Sequence, residues 1–219
     1  MDITGKKIAF LGDSITEGHG VSVPEHYFCN LLKEEYNLEK ALNYGIGGTR
    51  IAKQLQASGN AVWDNDFVAR VDDMDPDVDI VVVFGGTNDF GHGDAPLGTK
   101  YDRTNYTFYG ACHLLMEKLI AKYPEATIVF MTPLHRCNED NLRGDGGKAQ
   151  DVAPLSTYVE IIKEVMTYYS IPVLDLFAMS GIQPKVDVLR EKYCPDGLHP
   201  NDAGHVLIAK RLAGFLQTL

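Results

Sequence analysis

The sequence predicts a single domain, residues 1–219, folded as a three-layer α/β/α sandwich. Two observations predict it: short apolar runs recur along the whole chain, and the stretches between them carry apolar residues at helical spacing. Strands alternating with helices from end to end require right-handed crossovers, and therefore a parallel sheet with helices on both faces. No Pro-, Gly- or Ser-rich linker separates two cores.

Taken in order, "IAFL" from Ile8 is the first strand, nearly continuous in apolar residues as a strand covered on both faces must be. Tyr27, Phe28, Leu31 and Leu32 make a short helical face before the second strand, "ALNY" from Ala41. The third strand, "DIVVVF" from Asp79, leads towards a polar loop that starts at Gly91. Phe108, Cys112, Leu115, Met116, Leu119 and Tyr123 share one face of the next helix. "ATIVFM" from Ala126 is the fourth strand, and a second long polar loop runs from His135 to Pro154. Leu155, Tyr158, Val159, Ile162, Val165, Met166 and Tyr169 then give the clearest amphipathic helix. "IPVLDL" from Ile171 is the fifth strand, and Val206, Ala209, Leu212, Phe215 and Leu216 mark the last helix. Both polar loops follow strands, and the carboxyl ends of parallel strands are where such folds place their sites.

Composition removes several function classes. Twenty Lys and Arg against thirty Asp and Glu leave a net charge of −10, which repels phosphate backbones and anionic lipid, so neither nucleic acid nor membrane is expected as a partner. "MDITGKKIAFLG" holds no long apolar stretch before a cleavage site, which points to a cytoplasmic protein. The four cysteines lie far apart without a CxxC pair, in keeping with reduced thiols. "GIGGTR" has Arg50 where a dinucleotide fingerprint needs its third glycine, and "GDGGKA" has Ala149 where a P-loop needs Ser or Thr. There is no HExxH, no histidine set at zinc spacing and no GxSxG, so no metal is expected and the usual serine-hydrolase elbow is missing.

Four short segments at strand or helix ends remain. In "GDS", Ser14 stands where a nucleophile would meet the sheet's carboxyl edge, although Asp13 or Ser14 capping the next turn explains the same residues. In "DGLHP", Asp196 precedes His199 by three residues, the arrangement of a general base with the carboxylate that orients it; Pro200 keeps His199 out of the helix. In "NYGIGGT" the glycines allow an amide such as that of Gly48 to face an anion, and in "GGTND" Asn88 can turn its amide inward. Each segment alone is also an ordinary turn or cap; together they supply a nucleophile, a base, its orienter and three donors for an oxyanion. Cys194 is a rival nucleophile, but a thiol so close in sequence to its base on a tight loop is poorly placed for attack.

These four segments resemble the four blocks of the SGNH hydrolase superfamily, the GDSL-type esterases and lipases. The resemblance runs from residue 8 to the last helix and makes Ser14 the nucleophile, Asp196 and His199 its catalytic partners, and Ser14, Gly48 and Asn88 the oxyanion hole. It implies a flavodoxin-like sandwich around a five-stranded parallel sheet, and a cofactor-free serine esterase acting on a small-molecule or saccharide ester. Short acyl groups are expected, for example acetyl on a carbohydrate; thioesterase or lysophospholipase activity and an inactive carbohydrate-binding module are the alternatives. His92, His135 and Arg136, each following a strand, are expected to contact substrate, and Trp63 to lie in the core.

Overall fold

The computed structural model describes all 219 residues. Five strands, β1 (Lys7–Gly12), β2 (Lys40–Gly45), β3 (Ile80–Phe84), β4 (Thr127–Met131) and β5 (Val173–Leu174), form one parallel sheet in the order β2-β1-β3-β4-β5. The expected α/β class and five-stranded parallel sheet are therefore observed. Nine α-helices accompany them: α1 (Ser14–Glu17), α2 (Phe28–Tyr36), α3 (Phe67–Arg70), α4 (Thr87–Gly91), α5 (Phe108–Lys122), α6 (Leu155–Tyr168), α7 (Leu176–Met179), α8 (Asp187–Tyr193) and α9 (Asp202–Thr218).

Alternation along the strands sorts the apolar side chains into two cores. Ile8 and Phe10 of β1 join Ile80, Val82 and Phe84 of β3 in one core, closed by Leu32 of α2 and Leu212 of α9. Ala9, Leu11, Val81 and Val83 point the other way, against Phe67, Leu115 and Ile162 from α3, α5 and α6. β3, apolar throughout, is buried at every position, whereas the edge strand β2 has none fully buried.

The fifth strand is shorter than its apolar run. Only Val173 and Leu174 join the ladder, because Pro172 has no N–H to donate and Asp175 ends the strand by capping α7, accepting from the Ala178 N–H at 3.1 Å. The chain leaves β1 to build β2 on one side, then crosses to build β3 on the other. That reversal opens a crevice at the carboxyl ends of β1 and β3, from which Ser14 and Asn88 emerge.

Candidate active site

One residue, Asp13, separates the strand from Ser14. Asp13, not Ser14, caps α1: its carboxyl accepts from the Ile15 N–H at 3.0 Å. Ser14 is the first helical residue, so its N–H lacks an intrahelical acceptor, and no protein group takes it up. The capping explanation and the nucleophile explanation thus fall on different residues.

Ser14 Oγ lies 3.0 Å from His199 Nε2, and His199 Nδ1 lies 2.7 Å from Asp196 Oδ2. Asp196 Oδ1 accepts the Leu198 and His199 N–H groups at 2.8 and 2.7 Å, which folds the four residues into one tight turn around a left-handed Gly197 (φ 81°). Burial alone would raise the Asp196 carboxyl, but these N–H bonds and the histidine ring outweigh it and hold it below the usual carboxylate range. An ionised carboxylate only accepts, so Nδ1 carries the proton and Nε2 is left to accept from the Ser14 hydroxyl.

Across the crevice, the turn after β2 brings Gly48 to the site in the left-handed region (φ 76°), and a Cβ there would overlap the Trp63 indole. The Gly48 N–H has no protein acceptor. Its neighbours are pinned: Gly47 N–H donates to Glu17 Oε2 at 2.8 Å, and Thr49 Oγ1 to the Ile46 C=O at 2.6 Å. Asn88, on α4, uses one amide N–H on the Thr49 C=O at 3.0 Å and keeps the other.

The supports of this side are buried charges. Asp89 is 4% exposed; its two carboxyl oxygens accept the Ile51 and Ala52 N–H groups, each at 2.9 Å, joining α4 to the Gly48 turn. Arg70 donates to the Gly12 C=O at 3.1 Å, to Thr49 Oγ1 at 2.9 Å and to the Tyr44 C=O, tying the ends of β1 and β2 to that turn. Burial pushes the Asp13 carboxyl up to about 7 and that of Asp89 to about 6, against the N–H groups and cations that face them. No sequence motif marks either support; Asp89 carries only the weak signal of standing next to Asn88.

Of the three expected rim contacts, Arg136 and His135 are taken up by protein partners, while His92 is half-buried and lines a concavity of 820 Å³. Arg136 is 4% exposed and uses its guanidinium on Asn138, Thr87 and Asp145 while lying over the Phe90 ring, so it offers nothing to a substrate. His135 bonds Glu139 at 2.7 Å and stacks on Phe177 at 3.8 Å. His92 packs edge-on against Trp63 at 5.0 Å, with both ring nitrogens enclosed and unpartnered. Trp63 is not core: it is 39% exposed, standing at the mouth of the site. The side chain that flanks His199 is that of His19, which no sequence motif marks; its ring lies 5.1 Å from that of His199. Cys194 is buried, and burial pushes its thiol up to about 12, which leaves no thiolate for attack at neutral pH.

A parallel sheet with a Ser-His-Asp chain at the carboxyl ends of its strands is the arrangement of the SGNH hydrolases. The GDSL-like Lipase/Acylhydrolase family matches residues 10–207, and the chain belongs to that family, which makes it a hydrolase acting on esters. One crystal structure superposes with a TM-score of 0.86 at 33% identity, covering 100% of this chain and 99% of that one. A protein from Lactobacillus plantarum does so at 0.84 and 29% identity, over 99% and 98% of the two chains. An acetyl xylan esterase shares the fold at a TM-score of 0.64 and 22% identity, over 95% of this chain and 98% of its own. No curated protein matches the chain.

Proposed function

We propose that the chain is a serine esterase that removes short acyl groups through an acyl-enzyme on Ser14, with O-acetylated carbohydrate as the substrate class. The observation that carries this reading is the unbroken relay from Ser14 Oγ through His199 to Asp196, at 3.0 and 2.7 Å, beside two unclaimed backbone N–H groups.

In this mechanism His199 Nε2 takes the Ser14 proton as Oγ attacks the ester carbonyl, and Asp196 stabilises the imidazolium that forms. The negative oxygen of the tetrahedral intermediate meets the Ser14 and Gly48 N–H groups and the second amide N–H of Asn88. His199 then gives its proton to the departing alcohol; water, activated by the same nitrogen, releases the acid from Ser14. Every proton in the cycle moves through His199, and the mechanism calls for no cofactor.

Short acyl groups are favoured because neither polar loop, 91–105 or 135–154, carries a long apolar segment to cover an extended acyl chain. The likeness in fold to an acetyl xylan esterase points the same way. The test is hydrolysis of p-nitrophenyl esters from two to twelve carbons by wild type and Ser14→Ala. Activity highest on acetate and lost in Ser14→Ala is expected. Equal background rates in both proteins would leave a binding module, and a maximum at long chains would favour a lysophospholipase or long-chain thioesterase.

A further inference from the structure

We infer that His19 is a specificity-determining residue that receives the alcohol half of the substrate, selecting alcohols with a hydroxyl next to the esterified one, as in a sugar. The inference rests on the esterase reading above, from which it takes the proton path. When the tetrahedral intermediate collapses, His199 Nε2 protonates the leaving oxygen, which must then lie about 3 Å from that nitrogen.

His19 stands beside the His199 ring. Its N–H donates to the Ser14 C=O at 2.8 Å, so its backbone is fastened to the nucleophile itself. Its ring lies 5.1 Å from the His199 ring, centroid to centroid, with the planes 39° apart. The residue is exposed, and its ring makes no hydrogen bond within the protein. The turn that presents it is fixed on both sides: Gly18 (φ 105°) and Gly20 (φ 89°) are left-handed, a side chain at Gly18 would overlap Tyr27, and one at Gly20 would meet the Pro200 C=O at 2.6 Å. An imidazole in this position has an N–H for a neighbouring hydroxyl, while the leaving oxygen occupies His199. A simple alkanol has nothing to place there.

The site that releases an alcohol also accepts one, so the alcohol half can be tested apart from the acyl half. In acetyl transfer the alcohol oxygen attacks the acetyl-Ser14 carbonyl, its proton passes to His199 Nε2, and Ser14 Oγ leaves and takes that proton back. Enzyme acetylated by p-nitrophenyl acetate is offered equal concentrations of methyl β-D-xyloside and 1-propanol, and the two acetyl products are compared by NMR. This product ratio does not depend on how much folded enzyme each variant yields. Wild type should favour the xyloside; His19→Phe should lower the ratio by about five- to tenfold, the worth of one hydrogen bond, and His19→Gln should restore most of it. A wild type without preference, a ratio unchanged in His19→Phe, or no recovery in His19→Gln overturns the inference. p-Nitrophenol release without transfer to either alcohol overturns it while leaving the esterase reading intact. No Ser14-dependent p-nitrophenol release at all overturns both.

Discussion

The two sides of the crevice are built differently. The relay side, Asp196 to His199, is a single turn whose bonds span two or three residues and whose Asp196 side chain is 54% exposed. The donor side, Gly48 and Asn88, is assembled from three separate segments held by Arg70 and Asp89, which are 7% and 4% exposed. A proton relay must form and lose charge in every cycle, which water at its edge eases. Donors for an oxyanion must stay still while charge develops before them, and buried struts provide that. On this contrast, damage to the relay side should lower activity alone, and damage beneath the donor side should lower activity and stability together.

The largest effect expected is that of His199→Ala, a loss of about 10⁴-fold or more in kcat, with thermal unfolding close to wild type. A large fall in Tm would break the contrast. Asn88→Ala should lower kcat by about 10²–10³-fold with KM little changed, since its free N–H meets an oxygen that is negative only in the intermediate. Asp89→Asn, which touches no reacting atom, should lower kcat as well and destabilise the fold by about 1–3 kcal/mol, because one buried N–H, of Ile51 or Ala52, loses its acceptor. Chemical denaturation and steady-state kinetics on the same preparation check both halves of that statement.

The smallest effect concerns pH. The Asp13 carboxyl titrates near 7 in the folded protein against an ordinary value of 3.8, so the folded state binds its proton more tightly than the unfolded state does. The stability this contributes is complete below the unfolded value and is lost as pH rises through about 7. The difference in stability between Asp13→Asn and wild type should therefore widen between about pH 4 and 7, the variant gaining about 1–2 kcal/mol on wild type at pH 8. Melting curves of both proteins across that range decide it; a difference that stays constant with pH would rule this titration out.

The same contrast explains what could be read from the sequence. Asp196 and His199 were legible because their contact is local, three residues apart, as were β3 and β4, whose burial leaves uninterrupted apolar runs. Ser14, Gly48 and Asn88 were legible as strand-end residues. Arg70 was not, because what it does depends on Gly12 and Tyr44, 58 and 26 residues away, which only the folded sheet brings together. Arg136 and His135 lie on a long polar loop, a sign of exposure, but fold back onto Asp145 and Glu139. His19 carried no motif at all; its place is set by two left-handed glycines on either side.

Trp63, whose indole occupies the space a side chain on residue 48 would need, is the only tryptophan of the chain. The protein therefore carries a native fluorophore against one of the donors assigned to the oxyanion, with the His92 ring at its edge. Indole emission responds to the local electric field, so a charged tetrahedral adduct on Ser14 should shift it with no label attached. The donor side of the crevice can be watched by light while the relay side, which has no tryptophan, stays dark.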